Sequence, residues 1–349
     1  MASHITAPLH FPHPEAPPNG GIVEVAPGVR WFRLPLPFSL DHINVYLIED
    51  NGGWAVLDTG IDDQITRDAW EAALAGPLAG TRLTRVIATH FHPDHIGLVG
   101  WLTERFGLPL AMSRTEYFFA QTLRANSDAL RSAAHLAFYH DRGLANEISK
   151  SLRTQGLSYL SMVTGLPTTF TRLIAGQELR VGGRDFRIYT GGGHALEQVM
   201  LYCAADKLFF AADQVIAKIS PNISVWPWEP AANPLGEYLQ SLADLREVIA
   251  GDAFVLAAHN LPFVGVHSRI DTLLAHHRER CDLIAVATRE KPCSAGELVP
   301  VLFQRPLDPH QTGFAFGEVL AHVNFMLEIG ELAPVFVEAG NVMRVSSSA

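Results

Sequence analysis

Four side chains able to hold a metal fall within six residues: His90, His92, Asp94 and His95, in the run Thr89-His90-Phe91-His92-Pro93-Asp94-His95-Ile96-Gly97. Imidazole nitrogens with a carboxylate oxygen suit zinc best, and other first-row metals less decisively. His90 and His92 alternate with Phe91, so both imidazoles can point the same way. Asp94 and His95 then turn towards a second, adjacent point. H-x-H-x-D-H is rare by chance, which sets it above a polar loop with accidental histidines.

The flanks have the character such a site needs. Arg85 to Ala88 reads as the end of a buried strand, and Gly97 to Phe106 as a helix that stops at Gly107. The ligands therefore sit in a strand-to-helix loop, where side chains can converge. Three later features end in residues of the same types. Gly191, Gly192 and Gly193 precede His194, and glycine permits backbone angles closed to other residues. The apolar run Leu208 to Ala212 ends in Asp213, and the buried strand from Phe254 carries His259 at its tip. Asp58 closes the strand Trp54 to Leu57. It reads either as a turn residue or as an acceptor for the free ring N–H of a ligand histidine.

Taken together, the Thr89–Gly97 run and the opening Leu57-Asp58-Thr59-Gly60 resemble the metallo-β-lactamase superfamily. The resemblance implies an α/β chain folded as a four-layer αββα sandwich. It implies a first metal held by His90, His92 and His194. A second would be held by Asp94, His95 and His259, with Asp213 bridging the two and Asp58 supporting them from behind. Two zinc ions are expected, with iron or manganese as substitutes. A hydroxide shared by the metals would be the nucleophile, and Asp94 and Asp213 the catalytic carboxylates. Two departures from the family pattern concern loop path: the residues before Gly193-His194, and Ala258 and Asn260 beside His259.

The chain has 349 residues, 48% hydrophobic and 18% charged, as a soluble globular protein does. No apolar run approaches the roughly 20 residues of a membrane-spanning helix. Residues Met1 to Gly21 hold five prolines and no apolar stretch, so they read as an extended arm and not a secretory signal. Three cysteines without metal-type spacing fit a reducing, cytoplasmic setting. The net charge of −10 disfavours a nucleic-acid surface.

Strand patterns over Ile22–Val25, Val29–Leu34, Ile43–Ile48 and Trp54–Leu57 lead into a helix from Asp62 to Leu74. Strands return at Glu178–Val181, Phe186–Thr190 and Val199–Cys203, and a helix spans Leu235 to Ile249. Residues 22–266 form the expected catalytic domain. Within it, 113–170 reads as a helical insertion, with helices at Thr115–Thr122, Ser127–Arg142 and Leu144–Gly156. In the family such insertions stand over the metal cleft, which makes Tyr117, Phe118, Phe138, Tyr139 and Met162 candidate pocket walls; Trp226 and Trp228 form a second aromatic loop. Any single one of the five insertion side chains is better read as packing the insertion's own small core, whereas the tryptophan loop reads as a wall for an acyl group.

Residues 267–349 read as a separate unit. It has a helix over Arg269–Thr288, a second capped by Ser294 with Glu297, a third over Gly313–Ile329, and a hairpin of Val335–Glu338 and Val342–Val345. Three helices and a hairpin resemble a winged helix, but this unit holds seven Lys and Arg against ten Asp and Glu. Packing or homodimer formation is therefore expected of it. The whole order resembles the β-lactamase-like-2, or glyoxalase-II-like, subgroup with a C-terminal winged helix.

The expected function is a dinuclear zinc hydrolase of a small ester, thioester or lactone, with a small acyl substrate and a second copy of the chain as partners, and neither nucleic acid nor membrane. The alternative is a metal-dependent endoribonuclease or phosphodiesterase, which would need cations near the cleft; only Lys218 and Arg114 offer themselves. Redox chemistry at a diiron or mononuclear iron centre ranks third, and His92 speaks against the diiron form. A non-catalytic binding protein ranks last.

Overall fold

Alternation along the strands dictates the layering. The computed structural model describes residues 8–125, 132–145, 159–335 and 342–348. The first sheet runs in sequence order: β1 (Ile22–Ala26), β2 (Val29–Pro35), β3 (His42–Asp50), β4 (Gly53–Leu57), β5 (Leu83–Ile87), β6 (Leu110–Met112) and β7 (Thr171–Arg172). In β3, Ile43, Val45 and Leu47 enter one hydrophobic cluster, whereas Tyr46 and Ile48 enter another. A period of two puts successive side chains on opposite faces, so this sheet is buried on both sides.

The first cluster is roofed by helices. Trp70 and Ala73 come from α1 (Gln64–Ala75). A four-residue turn of helix, α2 (Pro93–Ile96), leads to α3 (Val99–Phe106), which supplies Val99 and Leu102, and α4 (Arg114–Ala125) supplies Tyr117 and Ala120. The second cluster joins the two sheets. Trp31, Tyr46 and Leu57 meet Phe186, Leu201, Phe210 and Leu256 from β9 (Arg184–Gly191), β10 (Gln198–Cys203), β11 (Leu208–Ala212) and β12 (Phe254–Ala257). The second sheet has the order β13-β12-β11-β10-β9-β8, with β8 at Glu178–Val181 and β13 at Phe263–Val264. Its outward residues Met200, Tyr202, Phe209 and Val255 are also buried. There the Ala250 amide, just past helix α6 (Pro234–Val248), donates to Tyr202 Oη at 3.4 Å. The arrangement is the four-layer αββα sandwich.

Contacts divide the chain into two units: Met1–Ala125, Tyr159–Pro221 and Ala243–Ile270, and then Asn126–Ser158, Asn222–Leu242 and Asp271–Ala349. The sandwich lies in the first. The second contains α5 (Ala133–His140) and the C-terminal elements: most of α7 (Val266–Glu290), then α8 (Ala295–Leu302), α9 (Pro309–Glu328), β14 (Leu332–Val335) and β15 (Arg344–Ser347). Ser294 and Glu297 close the capping box of α8. Helix α9 starts four residues before the expected Gly313. Asp308 and Gln311 form a second capping box there, with Pro309 at the first helical position. The paired strands start three residues earlier on one side and end two later on the other than the pattern implied. Their register matches Leu332 with Ser347 and Val335 with Arg344, and buries Leu332 and Val345.

The helix expected at Gly97–Phe106 is α3, shortened by two residues, with α2 set off before it. Of the helix expected at Ser127–Arg142, the part seen is α5, capped by Ser132; 127–131 lie outside the described residues, as does most of Leu144–Gly156. Among the described residues no helix is long and apolar enough to cross a membrane. Cys203, Cys281 and Cys293 are all buried and free.

Candidate metal centre

Parallel pairing brings distant strand ends to one edge of the sandwich. β4 and β5 run parallel in the first sheet, and β11 and β12 in the second. Their C-terminal ends deliver Asp58, Thr89 and His90 from one sheet and Asp213 and His259 from the other. Hydrogen bonds stitch the sheets there. Asn44 Nδ2 and Tyr46 Oη both donate to the Ala257 carbonyl, at 3.0 and 2.8 Å, and the Val199 amide donates to Thr89 O at 2.9 Å.

Backbone conformations open to few residues aim the ligands. Asp58, Ala212 and Asn260 have φ of 62°, 46° and 63°, and all three lie at or just past strand ends at this edge. A side chain in the left-handed region is strained unless its surroundings hold it, and such residues cluster at functional sites. At Ala212 the β11–β12 register shifts, which turns Asp213 out of the ladder. Gly193, at φ 98°, turns the chain into His194.

The histidines and carboxylates gather into three overlapping groups: His90, His92 and His194; His90, His95 and Asp213; and Asp94, His95 and His259. In the first, His92 Nδ1 lies 2.9 Å from His90 Nε2 and 3.0 Å from His194 Nε2. In the last, Asp94 Oδ2 lies 3.7 Å from His95 Nε2 and 3.4 Å from His259 Nε2. Asp213 touches both: Oδ2 is 3.2 Å from His194 Nε2 and 3.6 Å from His95 Nε2, and Oδ1 is 3.4 Å from His259 Nε2. Ligands about 2.0–2.1 Å from a tetrahedral zinc sit about 3.3 Å from one another, so these separations are those of a first coordination shell.

Two further observations fit a cation. Among the described residues, His95 Nε2 and Asp213 Oδ1 are buried without a hydrogen-bond partner. Buried polar atoms are rarely left so. The tautomers are also fixed from behind. Asp58 Oδ2 accepts from His95 Nδ1 at 2.8 Å, and the His42 carbonyl accepts from His259 Nδ1 at 2.8 Å. Thr89 Oγ1 gives its proton to Asp58 at 2.9 Å and so accepts from His90 Nδ1 at 3.0 Å. Each points Nε2 at the cluster, where it is bare once the ring is neutral, as metal ligation needs.

Electrostatics follow from the crowding. Burial pulls His90 well below the usual imidazole range and His92 down to about 3, and neighbouring imidazoles add to it. Burial would raise Asp94 and Asp213, but the charges of His95 and His259 outweigh it, holding Asp94 at about 2 and Asp213 well below the carboxylate range. Burial would lower His95 and His259; the surrounding carboxylates hold His95 well up and His259 at about 10. Protons on those two rings thus balance the carboxylate charge that a divalent cation would neutralise.

Of the two carboxylates in these groups Asp94 is the more open to solvent, its side chain 19% exposed against 7% for Asp213. Of the aromatics named from the sequence, Tyr117 is buried, stacks on Phe170 with ring centres 4.0 Å apart, and donates to Pro167 O. Phe118 is exposed and Met162 half-buried against the helix-side core. In the second unit, Phe138 and Tyr139 are buried, and Trp226 stacks on Trp228 at 5.2 Å. Lys218 and Arg114 are both exposed.

Glu116 escaped the sequence reading. It is fully buried, and burial pushes its carboxyl up to about 7 against two amide hydrogen bonds that favour the charged form. Ser113-Arg114-Thr115-Glu116 has the spacing of a capping box, a local pattern that accounts for a glutamate at the start of α4 without reference to the site. His42 also went unnoticed; its Nε2 accepts from the Asn260 amide at 2.9 Å, beside His259.

Residues 39–258 match the family model described as the metallo-beta-lactamase superfamily, and 281–344 that of the metallo-beta-lactamase-like C-terminal domain. A curated relative, probable metallo-hydrolase YqjP of Bacillus subtilis (strain 168), is 23% identical over 78% of this chain and 83% of its own. A crystal structure of a beta-lactamase domain protein from Burkholderia ambifaria is 39% identical, with a TM-score of 0.90 over 97% of this chain and 98% of that one. One of a metallo-beta-lactamase family protein from Thermus thermophilus is 28% identical, with a TM-score of 0.78 over 93% and 100%.

Proposed function

Because the chain belongs to the metallo-β-lactamase superfamily, we propose that it is a dinuclear zinc hydrolase of a small ester, thioester or lactone. The single observation that carries this is the sharing of Asp213 between two triads whose ligand atoms are spaced as a coordination shell. His90, His92 and His194 would hold one zinc, and Asp94, His95 and His259 the other, with Asp213 common to both. Iron or manganese could take the same nitrogen and oxygen donors. Bound there, the metals supply Lewis acidity towards a carbonyl and lower the pKa of water.

The remaining roles belong to the protein. Asp58, His42 and Thr89 keep the ligand imidazoles in the tautomer that faces the cluster. Asp94, the more exposed carboxylate, would accept a proton and pass it to a leaving group. The name of the Bacillus relative, a probable metallo-hydrolase, supports the reaction class. An uncharged or acyl substrate accords with the net charge of −10 and with the absence of a basic cluster beside Lys218 or Arg114 in the sequence. The C-terminal helices and paired strands we read as winged-helix-like, serving packing or self-association.

Metal analysis of the purified protein, followed by an activity panel of esters, thioesters, lactones and RNA, tests the reading. Two equivalents of zinc and turnover of an acyl compound are expected. Cleavage of RNA without acyl hydrolysis would replace it with the nuclease alternative.

A further inference from the structure

The peptide that separates His90 from His92 is held from outside by side chains alone on both its polar groups. The Phe91 amide donates to Glu116 Oε2 at 2.9 Å, and the Phe91 carbonyl accepts from Tyr159 Oη at 2.9 Å. The other oxygen of the same carboxylate, Glu116 Oε1, accepts from the Glu197 amide at 2.5 Å. Glu197 lies three residues beyond His194, and its own carboxylate returns to accept from the Thr115 amide at 3.1 Å.

The capping interaction explains only half of this. The Glu116 amide donates to Ser113 Oγ at 3.4 Å, as the first half of a capping box would have it. In a complete box the Glu side chain folds back onto the capping residue's own amide. Here it is extended away from the helix, into a site where it is 0% exposed. Burying a carboxylate is costly unless specific partners compensate. Its two amide partners belong to the two loops that carry His90, His92 and His194.

We propose that Glu116 is a positioning residue that sets the spacing of His90, His92 and His194 by tying the amide of Phe91 to the amide of Glu197. Tyr159 completes the clamp at the Phe91 carbonyl. The inference rests on reading those three histidines as ligands of one metal. Asp94, His95 and His259 are held by other groups, Asp58 and His42 among them, so the clamp acts on one half of the centre.

Glu116→Gln tests it. Gln keeps one acceptor oxygen and presents an NH2 group to the other amide, so one of the two ties becomes donor against donor. Metal-free full-length protein is titrated with cobalt(II) against a competing chelator and followed by its visible absorption, which reads the two equivalents separately. The wild type is expected to take up two. In Glu116→Gln one equivalent should weaken about tenfold to a hundredfold, as loss of a group supporting metal ligands does, while the other changes little. Two equivalents bound with unchanged affinities, or both weakened alike, would overturn the clamp. A wild type that binds fewer than two would overturn the reading of the centre, and the clamp with it. Should Glu116→Gln yield no folded protein, Tyr159→Phe is judged by the same split, which must again fall on one equivalent.

Discussion

Asp58 Oδ2 and His95 Nδ1 meet at 2.8 Å in a site where both side chains are almost wholly buried. Asp58 reaches that point at φ 62°, a conformation asparagine also tolerates. Asp58→Asn should therefore keep the backbone while weakening its hold on the His95 tautomer. Metal affinity should fall about tenfold to a hundredfold. Competition with a chelator measures it, and unchanged affinity would show that His95 is oriented by something else.

Asp213 lies against both triads, with Oδ2 3.2 Å from His194 Nε2 and Oδ1 3.4 Å from His259 Nε2. Asp213→Ala should lower the metal content of both halves and abolish hydrolysis. Elemental analysis alongside the activity assay checks this. A variant retaining two metals and full turnover would place the bridge elsewhere.

Metal uptake should be coupled to proton release. The carboxylates around His259 hold it up at about 10, above the pH of an ordinary assay, and a ligand imidazole must be neutral. The metal-free protein therefore carries a proton on that ring at pH 7 and gives it up on binding. Affinity should rise with pH through neutrality. Calorimetry in buffers of different ionisation enthalpy counts the protons released, and a count of zero would contradict the charge balance described.

Acid should loosen the C-terminal unit before it titrates ordinary carboxylates. His277 Nδ1 lies 3.2 Å from His322 Nε2, and His322 Nδ1 donates to Glu318 O at 2.8 Å. Burial pulls the two rings down to about 2 and about 4. Unfolded imidazoles take up protons near 6.5, so below that pH the unfolded chain binds more protons than the folded one. Stability is present above about 6.5 and declines as pH falls, by up to about 1.4 kcal/mol per pH unit for each ring. Thermal unfolding between pH 5 and 7 should show the decline, and a double replacement by leucine should flatten it.

The strand ends and the clustering of the candidate ligands were legible because the His90–His95 run, Asp213 and His259 each follow an apolar run, and period-two alternation marks those runs. His194 stood out through its glycines. Glu116 was hidden by a local pattern that accounts for it without reference to the site; its partners lie on loops far along the chain, and spacing carries no trace of them. The start of α9 was missed because apolar periodicity begins at Gly313, whereas Asp308 and Pro309 set the first turn. In the paired strands at the end, Pro334 stands within the ladder, which an edge position tolerates but apolar alternation does not reveal.

The candidate ligands are drawn from His90 to His259, and their loops meet where Asn44 and Tyr46 join the sheets at Ala257 and Val199 pairs with Thr89. Contacts between segments so far apart in sequence form late, because closing long loops is slow and entropically costly. The complete coordination sites thus exist only once the sandwich has assembled, and in the earlier stages a cation has only the local run from His90 to His95 to grip, without His194, Asp213 and His259. Metal should accordingly leave the refolding rate nearly unchanged and act on the reverse step, slowing unfolding in proportion to its occupancy. The centre then works as a lock on the finished sandwich, and chelation should shorten the lifetime of the native state without hindering its formation.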